Sequence, residues 1–370
     1  MNLSWWEIKN WFSDIDYTIV GSGIVGLHAA LRLRARFPES KILVLERGIL
    51  PQGASTKNAG FACFGSLSEI IDDLSKTSEI DVLKIIEQRW TGLQIIRKSL
   101  GDQVLNLKQF GGYEIFLENQ EALFSDCLSK ISYVNELLFP IFKSNVFSIQ
   151  KNNFGFGKIN PNLIFNPFEA QIDTGNMMQA LLKKAVSSDI LILNQQTVTD
   201  YHETTEGVEV VLNDFSFKTK KMLFATNGFA SQLINQDVKP ARAQVLITEP
   251  IPGLKIKGTF HLDQGYYYFR NIGDRILFGG GRNLDFKGET TTEFAQTAQI
   301  QNRLEQLLKE VILPQTDFKI EHRWSGIMGL GESKKPIVKQ LSEHVYCGVR
   351  LGGMGVAIGS LIGQELADLI

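Results

Sequence analysis

Residues Tyr17-Thr18-Ile19-Val20-Gly21-Ser22-Gly23-Ile24-Val25-Gly26 join a short apolar run to a glycine-rich turn. The run predicts a strand, and the apolar spacing that begins at Ile24 predicts a helix directly after the turn. Gly21 permits the turn, Gly23 lets the backbone approach a pyrophosphate, and Gly26 lets the helix pack on the strand. The free N–H groups at the start of that helix favour phosphate binding. The stretch therefore predicts a dinucleotide-binding βαβ unit.

The residues after this unit extend the same prediction. Lys41–Leu45 supplies a second strand, and Glu46 follows it twenty residues after Gly26. A carboxylate at this spacing is placed to bind the ribose hydroxyls of a dinucleotide. We expect the following residues to contact the cofactor: Gly21, Ser22, Gly23, Ile24, Val25, Gly26, Glu46 and Arg47. The alternative is a βαβ unit whose tight turn binds no ligand.

A glycine-bearing segment, Gly53–Phe61, follows Glu46, and its small side chains let the backbone lie against a flat ligand. With this segment the chain resembles the D-amino-acid oxidase/glycine oxidase family of FAD enzymes. In that family a "GAST-x-x-AG" segment runs beside the pyrophosphate and the isoalloxazine ring. The resemblance implies FAD contacts from Ala54, Ser55, Thr56, Asn58, Ala59, Gly60 and Phe61.

Three more stretches resemble the family in its own order, so the resemblance spans nearly the whole chain. Lys221–Gly228 resembles the strand and "ATNG" element, Tyr266–Gly280 the substrate-domain hairpin, and Gly348–Gly359 the flavin-contacting loop. The resemblance implies FAD contacts from Val198, Ala225, Thr226, Gly228, Gly352, Gly353, Met354 and Gly355. Cys63 and Cys347 match no tether motif, which favours noncovalent FAD.

The predicted fold is α/β, with a Rossmann-like (GR2-type) FAD-binding domain and an α+β substrate domain that contains an antiparallel sheet. Residues 1–90, 145–228 and 325–370 are assigned to the FAD-binding domain, and residues 91–144 and 229–324 to the substrate domain. The spacing of apolar residues predicts a helix over 122–139 that stops at Pro140. The stretch 152–167 is rich in Asn, Gly and Pro, and we expect it to be irregular.

Composition excludes several classes of protein. A formal charge of −2 gives no electrostatic case for nucleic-acid binding. The five histidines and three cysteines lack zinc or iron–sulfur spacing, and the widely spaced cysteines suit a reducing cytoplasm. The sequence contains no run of eighteen apolar residues, so it predicts no transmembrane segment. Residues 1–12, which include Trp5, Trp6 and Trp11, predict a short helix packed across the protein; peripheral membrane contact is the alternative.

The hairpin and several arginines are the candidates for substrate binding. Alternation places Tyr266, Tyr268 and Arg270 on one face of a strand, and Tyr266 matches the family position that contacts a substrate carboxylate. The "WAG-x-R" arginine of glycine oxidase-like members is replaced by Met328. Because a carboxylate is usually bound by an arginine fork, three others become candidates. They are Arg350, near the family's second arginine, together with Arg282 and Arg323.

Members of the family pass a hydride from a C–H bond beside an amine, or sometimes a hydroxyl, to flavin N5. The resemblance therefore implies oxidation of a small-molecule amine or amino acid at Cα–H to an imine. Molecular oxygen or an electron carrier would reoxidise the flavin. The alternatives are a 2-hydroxy-acid or glycerol-phosphate dehydrogenase on the same fold, a catalytically silent flavin-binding subunit, and an NAD-dependent dehydrogenase. The candidates for catalysis are Tyr266, Tyr268, Arg350 and Arg282.

Overall fold

The predicted strand–turn–helix unit forms at the start of a chain that builds two eight-stranded sheets. A computed structural model of the protein describes residues 2–370. The strands are β1 (Ile15–Val20), β2 (Ile42–Leu45), β3 (Phe61–Ala62), β4 (Gly112–Ile115), β5 (Ser148–Lys151), β6 (Asn162–Asn166), β7 (Ala170–Gln171), β8 (Leu191–Leu193), β9 (Val198–Thr204), β10 (Gly207–Leu212), β11 (Ser216–Phe224), β12 (Lys239–Thr248), β13 (Thr259–Leu262), β14 (Tyr267–Ile272), β15 (Arg275–Gly280), β16 (Ile320–Leu330), β17 (Ile337–Gln340) and β18 (Val345–Val349). The helices are α1 (Trp5–Glu7), α2 (Ile24–Arg36), α3 (Leu67–Lys76), α4 (Glu79–Leu100), α5 (Glu121–Phe142), α6 (Thr174–Val186), α7 (Ala298–Leu307) and α8 (Gly355–Asp368).

The first sheet has the order β17-β18-β11-β1-β2-β8. Strand β10 pairs with the first half of β11, and β9 pairs with β10. Strands β18, β11, β1, β2 and β8 run parallel. Strand β2 is buried at every position, because α2 and α6 cover one of its faces and β9 and β10 cover the other. Helices α2 and α8 pack against each other beside this sheet. Parallel strands bring their carboxyl ends to one edge, which is where ligands bind in such sheets.

Gly26 allows α2 to lie on the turn that precedes it. A Cβ atom at Gly26 would come within 1.9 Å of the carbonyl oxygen of Gly21, so any side chain there would force the helix away. This is the helix-packing role that the glycine spacing predicted.

The second sheet has the order β16-β12-β15-β14-β13-β4-β6-β5 and is antiparallel except where β4 meets β13. One face packs on α7 through an aromatic cluster in which Phe260 and Phe269 stack with ring centroids 4.5 Å apart. Tyr267 belongs to that core, whereas Tyr266 and Tyr268 face a cavity on the opposite side. The alternation predicted for the hairpin is therefore present in the structure.

Strand β6 pairs with β4 and β5 pairs with β6 in the second sheet, although residues 145–228 were assigned to the FAD-binding domain. Residues 152–167 were also expected to be irregular, and β6 contradicts this because Leu163 and Ile164 are buried within it. Their short apolar run was hidden between asparagines. We therefore propose that residues 148–166 belong with the substrate domain.

Helix α5 continues past Pro140 to Phe142, contrary to the predicted stop. The proline removes a single backbone hydrogen bond in the last turn, where the helix is about to end. The ring of Phe142 lies 4.6 Å from that of Phe64 and 5.1 Å from that of Trp90. Packing of this aromatic cluster keeps the last turn helical.

The N-terminal segment forms α1 and a following π turn, Ile8–Phe12. Phe12 packs on Phe215, but Trp5 and Trp6 are 61% and 65% exposed, so the expected packing across the protein is wrong for them. Met1 lies outside the described residues. Within residues 2–370, no helix combines the length and apolar character needed to cross a membrane. Peripheral contact through this segment stays a proposal.

Candidate active site

A cavity of about 830 Å³ lies between the carboxyl edge of the first sheet and the open face of the second. The ends of β1, β2 and β11 contribute Gly21, Glu46 and Thr226, and the second sheet contributes Tyr268 and Gly280. The volume falls in the range of small-molecule and cofactor sites. The cavity is therefore placed where both a dinucleotide and a substrate can reach it.

Two helices begin at this cavity. Gly23 precedes α2 and Met354 precedes α8, and both residues line the cavity wall. The positive ends of both helix dipoles therefore point toward whatever the cavity holds. Such an arrangement favours a ligand that carries phosphates or gains negative charge on reduction.

The loop at residues 53–60 is held tightly against the start of α2. Ser55 Oγ accepts a hydrogen bond from the Ile24 backbone N–H at 3.0 Å, and a Cβ atom at Gly23 would lie 2.8 Å from that oxygen. Asn58 Oδ1 accepts hydrogen bonds from Gly60 N–H and from the Thr174 hydroxyl, both at 2.8 Å. The backbone of the loop is thus fixed in position before any ligand binds.

Glu46 is buried and lines the cavity, as its spacing predicted. Its carboxylate accepts hydrogen bonds from the Ser22 hydroxyl at 2.8 Å and from Gly48 N–H at 3.0 Å. These bonds hold the carboxylate at the end of β2. Arg47 stacks over Phe229, with its guanidinium carbon 3.7 Å from the ring centroid.

The "ATNG" element joins the two halves of the cavity. Asn227 Oδ1 accepts a hydrogen bond from Leu351 N–H at 3.1 Å, which ties the end of β11 to the glycine loop before α8. The Thr226 hydroxyl is buried at the cavity wall and has no partner among residues 2–370. A polar atom in this position needs a hydrogen bond from a ligand to offset its desolvation.

Most of the predicted cofactor residues line the cavity. They are Gly21, Gly23, Ile24, Val25, Glu46, Arg47, Ala54, Ser55, Asn58, Ala59, Phe61, Val198, Ala225, Thr226, Gly352, Gly353, Met354 and Gly355. Ser22, Gly26, Thr56, Gly60 and Gly228 lie behind that wall instead. The Thr56 hydroxyl donates to the Pro51 carbonyl, and a Cβ atom at Gly228 would meet the Met328 carbonyl oxygen at 2.5 Å. These five residues shape the wall.

The end of the cavity against the second sheet carries the predicted tyrosines. Burial raises the pKa of Tyr268 to about 12, so its phenol is neutral at physiological pH. Tyr266 is partly exposed, and within residues 2–370 neither phenol oxygen has a hydrogen-bond partner. Arg270 shares their face but reaches behind Gly60, where its Nη2 would lie 2.8 Å from an added Cβ atom.

The candidate arginines differ sharply in their surroundings. Arg350 lines the cavity, but it donates to Asp237 Oδ2 at 2.6 Å and to the Lys335 carbonyl at 2.9 Å. Arg323 donates to Glu305 and does not line the cavity. Arg282 lines the cavity, stacks on Phe286 and makes no ion pair within residues 2–370. Burial lowers the pKa of Arg282, and its guanidinium still remains charged at physiological pH.

Two other features of this end were not predicted. Lys57 lines the cavity and makes no ion pair within the described chain. Cys63, Glu169 and His261 come together with their ligand-type atoms within 4.8 Å of one another, although no sequence spacing indicated a cluster. His261 Nε2 lies 2.9 Å from Glu169 Oε2, which also accepts a hydrogen bond from the Thr259 hydroxyl at 2.8 Å. The only signal in the sequence was a histidine within an otherwise strand-like run, Thr259–Leu262.

The fold and this cavity define a dinucleotide-dependent oxidoreductase. The profile of the FAD-dependent oxidoreductase family DAO matches residues 16–369. The chain belongs to that family and is a FAD-dependent oxidoreductase, as the sequence predicted.

Two relatives and one solved structure show how far the similarity extends. The chain is 23% identical to the probable oxidoreductase OrdL of Haemophilus influenzae, covering 96% of this chain and 82% of that protein. It is 24% identical to the gamma-glutamylputrescine oxidoreductase of Escherichia coli, covering 96% and 83%. The structure of an iminodiacetate oxidase from a Chelativorans species superposes with a TM-score of 0.76 at 18% identity, covering 95% and 94%. That structural likeness concerns the fold.

The residues present fit FAD. The close approach of Gly23 to Ser55, the unpartnered Thr226 hydroxyl and the two helix N-termini form a cradle for a phosphate-bearing redox cofactor. We propose that α2, Glu46 and the loop at residues 53–60 hold its dinucleotide part. We propose that Gly352–Gly355 and the start of α8 lie against its ring.

Proposed function

We propose that the protein oxidises an amine or amino acid at Cα–H and releases an imine that hydrolyses. FAD, when bound, supplies the acceptor for the hydride. The observation that carries the proposal is Arg282, an unpaired, half-buried guanidinium that lines the cavity next to Tyr266. A cation in such a place is ready to receive a substrate carboxylate.

The side chains at this end of the cavity would hold the substrate by one end. Phe286 supports both groups, since it lies under Arg282 and 5.9 Å from the Tyr266 ring. The Arg282 fork would bind the carboxylate oxygens, and the Tyr266 hydroxyl would donate one further hydrogen bond. Holding the carboxylate leaves the Cα–H free to be aimed at the cofactor ring. Arg282 would thus take the role of the "WAG-x-R" arginine, whose position is occupied by Met328 in this chain.

The similar proteins agree with a nitrogen-bearing substrate. Gamma-glutamylputrescine and iminodiacetate, the compounds in two of their names, both carry an amine and a carboxylate. Among the cations that line the cavity, Lys76 pairs with Asp72 and Lys334 pairs with Asp73, whereas Arg47, Lys57 and Arg282 make no ion pair within residues 2–370. A dehydrogenase that acts on glycerol phosphate therefore stays an alternative for the substrate test.

The test compares three compounds that share one side chain: an amino acid, its decarboxylated amine and its 2-hydroxy acid. Turnover is measured with oxygen and with a redox dye, and the product is identified. We expect the amino acid to give its 2-oxo acid and ammonia, with kcat/KM at least ~100-fold above that of the amine. Turnover of the 2-hydroxy acid alone would establish the dehydrogenase alternative. A yellow protein that oxidises none of a broad panel would be a silent subunit.

Replacing Tyr266 with phenylalanine should raise KM for the amino acid about 5-fold and leave kcat within 2-fold. The change removes one neutral hydrogen bond to the carboxylate, worth about 1 kcal/mol, and keeps the ring on Phe286. Steady-state kinetics check this result. The matched variant Tyr267→Phe alters a phenol on the core face and should leave KM unchanged. Equal KM values for Y266F and the wild type would show that Tyr266 only packs.

A further inference from the structure

His261 is a buried histidine that reaches the same cavity from the strand beside the tyrosines. It lies opposite Tyr268 in the β13–β14 ladder, and both residues line the cavity. Phe61 packs edge-on against both, with ring centroids 5.4 Å from His261 and 5.7 Å from Tyr268. Three rings therefore form one wall of the substrate end.

The two nitrogens of His261 have different surroundings. Nε2 lies 2.9 Å from Glu169 Oε2, and that carboxylate is fixed by the Thr259 hydroxyl. Nδ1 has no partner within residues 2–370, while the residue lines the cavity. A carboxylate behind a histidine fixes the ring orientation and favours the imidazolium. The arrangement leaves one charged N–H donor for a ligand.

The charges around His261 keep it protonated. Burial by itself lowers its pKa, but the charge and hydrogen bond of Glu169, with added effects of Glu69 and Glu114, raise it to about 9. These carboxylates face it from the loop before β7, from α3 and from β4. Cys63 also faces it, and burial raises the pKa of that thiol so that it carries no charge. His261 is therefore a cation across the physiological pH range.

We propose that His261, held by Glu169, binds a second acceptor group of the substrate, so that the cavity selects amino acids whose other end carries a carboxylate. Arg282 would take one carboxylate and His261 Nδ1–H the other. From the strand register, His261 lies roughly 8 Å from Tyr266 between Cα atoms, a span that one small substrate can bridge. This inference rests on the proposed function, because it names the substrate class of the same site.

The test measures binding to the oxidised holoenzyme through the shift of its visible flavin spectrum. The probes are glutarate, with two carboxylates, and butyrate, with one. We expect wild-type protein to bind glutarate at least ~10-fold more tightly than butyrate at pH 7, the effect of one charge-assisted hydrogen bond. In His261→Gln the two probes should bind within 2-fold of each other. His202→Gln makes the same change at an exposed residue of β9 that does not line the cavity, so it serves as the control and should keep the preference.

The pH dependence separates a charge effect from a packing effect. The donor is present while His261 is protonated, so the glutarate preference should hold below pH 9 and disappear as pH rises through about 9. Glu169→Gln removes the charge that stabilises the imidazolium, so its preference should be lost near neutral pH and return in acid. A structural role for Glu169 would not give recovery in acid. If His261→Gln fails to retain FAD, the pH dependence of the glutarate preference in the wild type tests the inference by itself.

Equal binding of glutarate and butyrate by the wild type, or an unchanged preference in His261→Gln, would overturn this inference. Because the readout is binding, its outcome is independent of turnover. A protein that shows the His261-dependent preference yet oxidises no amino acid would contradict only the proposed function. A protein that oxidises amino acids but binds both probes equally would contradict only this inference.

Discussion

Gly23→Val should be purified colourless, with its affinity for FAD reduced roughly 1,000-fold, or about 4 kcal/mol. An added Cβ atom at this position would lie 2.8 Å from Ser55 Oγ, and the valine methyl groups would fill the space in front of the α2 N-terminus. The phosphates could then no longer approach the free N–H groups of the helix. The absorbance ratio of the purified protein at the flavin band and at 280 nm measures the effect.

The control for this change is Gly175→Val, which introduces the same side chain at an exposed position in the first turn of α6. A Cβ atom there meets only Asp173 Oδ1, at 3.3 Å. We expect this variant to remain yellow and to unfold at nearly the wild-type temperature. If Gly23→Val protein retained a full complement of FAD, the N-terminus of α2 would not belong to the cofactor site.

Arg282→Met should lower kcat/KM for the amino-acid substrate about 100-fold, mostly through KM. Methionine keeps much of the apolar contact with Phe286 but removes the charge and the hydrogen-bonding fork, which together are worth about 3 kcal/mol in a half-buried site. For the decarboxylated amine the same variant should match the wild type within 3-fold, because that compound has no carboxylate to lose.

Two further variants test whether the effect belongs to Arg282. Arg323→Met removes an arginine that donates to Glu305 outside the cavity, and its kinetics should stay within 3-fold of the wild type. Lys57→Met removes another unpaired cation at the cavity, whose ammonium is a point charge without a fork. A 100-fold loss in Lys57→Met together with wild-type kinetics in Arg282→Met would assign the carboxylate to Lys57 instead.

The sequence predicted those parts of the fold that local chemistry determines. The glycine spacing at residues 21–26 placed the turn and α2, because close backbone approach excludes other residues there. The hairpin predicted over Tyr266–Gly280 is present as β14 and β15. In each case the signal lies within a few residues of the feature.

The predictions that failed depended on contacts between distant residues. Pro140 stays within α5 because Phe142 packs on Phe64, which is 78 residues earlier in the chain. The short β6 is recognisable only beside β4 and β5. Spacing along the chain could not reveal either arrangement.

In the candidate site, too, features that depend on contacts between distant residues could not be predicted from the sequence. The sequence offered Arg350, near the family's second arginine, with Arg282 and Arg323 as further candidates. Only the tertiary partners distinguish Arg350 from Arg282, since Arg350 is bound to Asp237 whereas Arg282 makes no ion pair within residues 2–370. The His261–Glu169 pair joins β13 to a loop 92 residues away. Charge pairing of this kind is set by sheet topology, so residue types and spacing did not reveal it.

The most direct test of the central claim is anaerobic reduction of the purified yellow protein by candidate substrates. The panel contains amino acids of both hands, N-methyl amino acids, their decarboxylated amines and the matching 2-hydroxy acids. We predict that the flavin band bleaches with amino acids, fastest with those that carry a second carboxylate, and much more slowly with the amines. Bleaching by 2-hydroxy acids but by no amino acid or amine would contradict the account of the protein as an enzyme that oxidises carbon next to nitrogen.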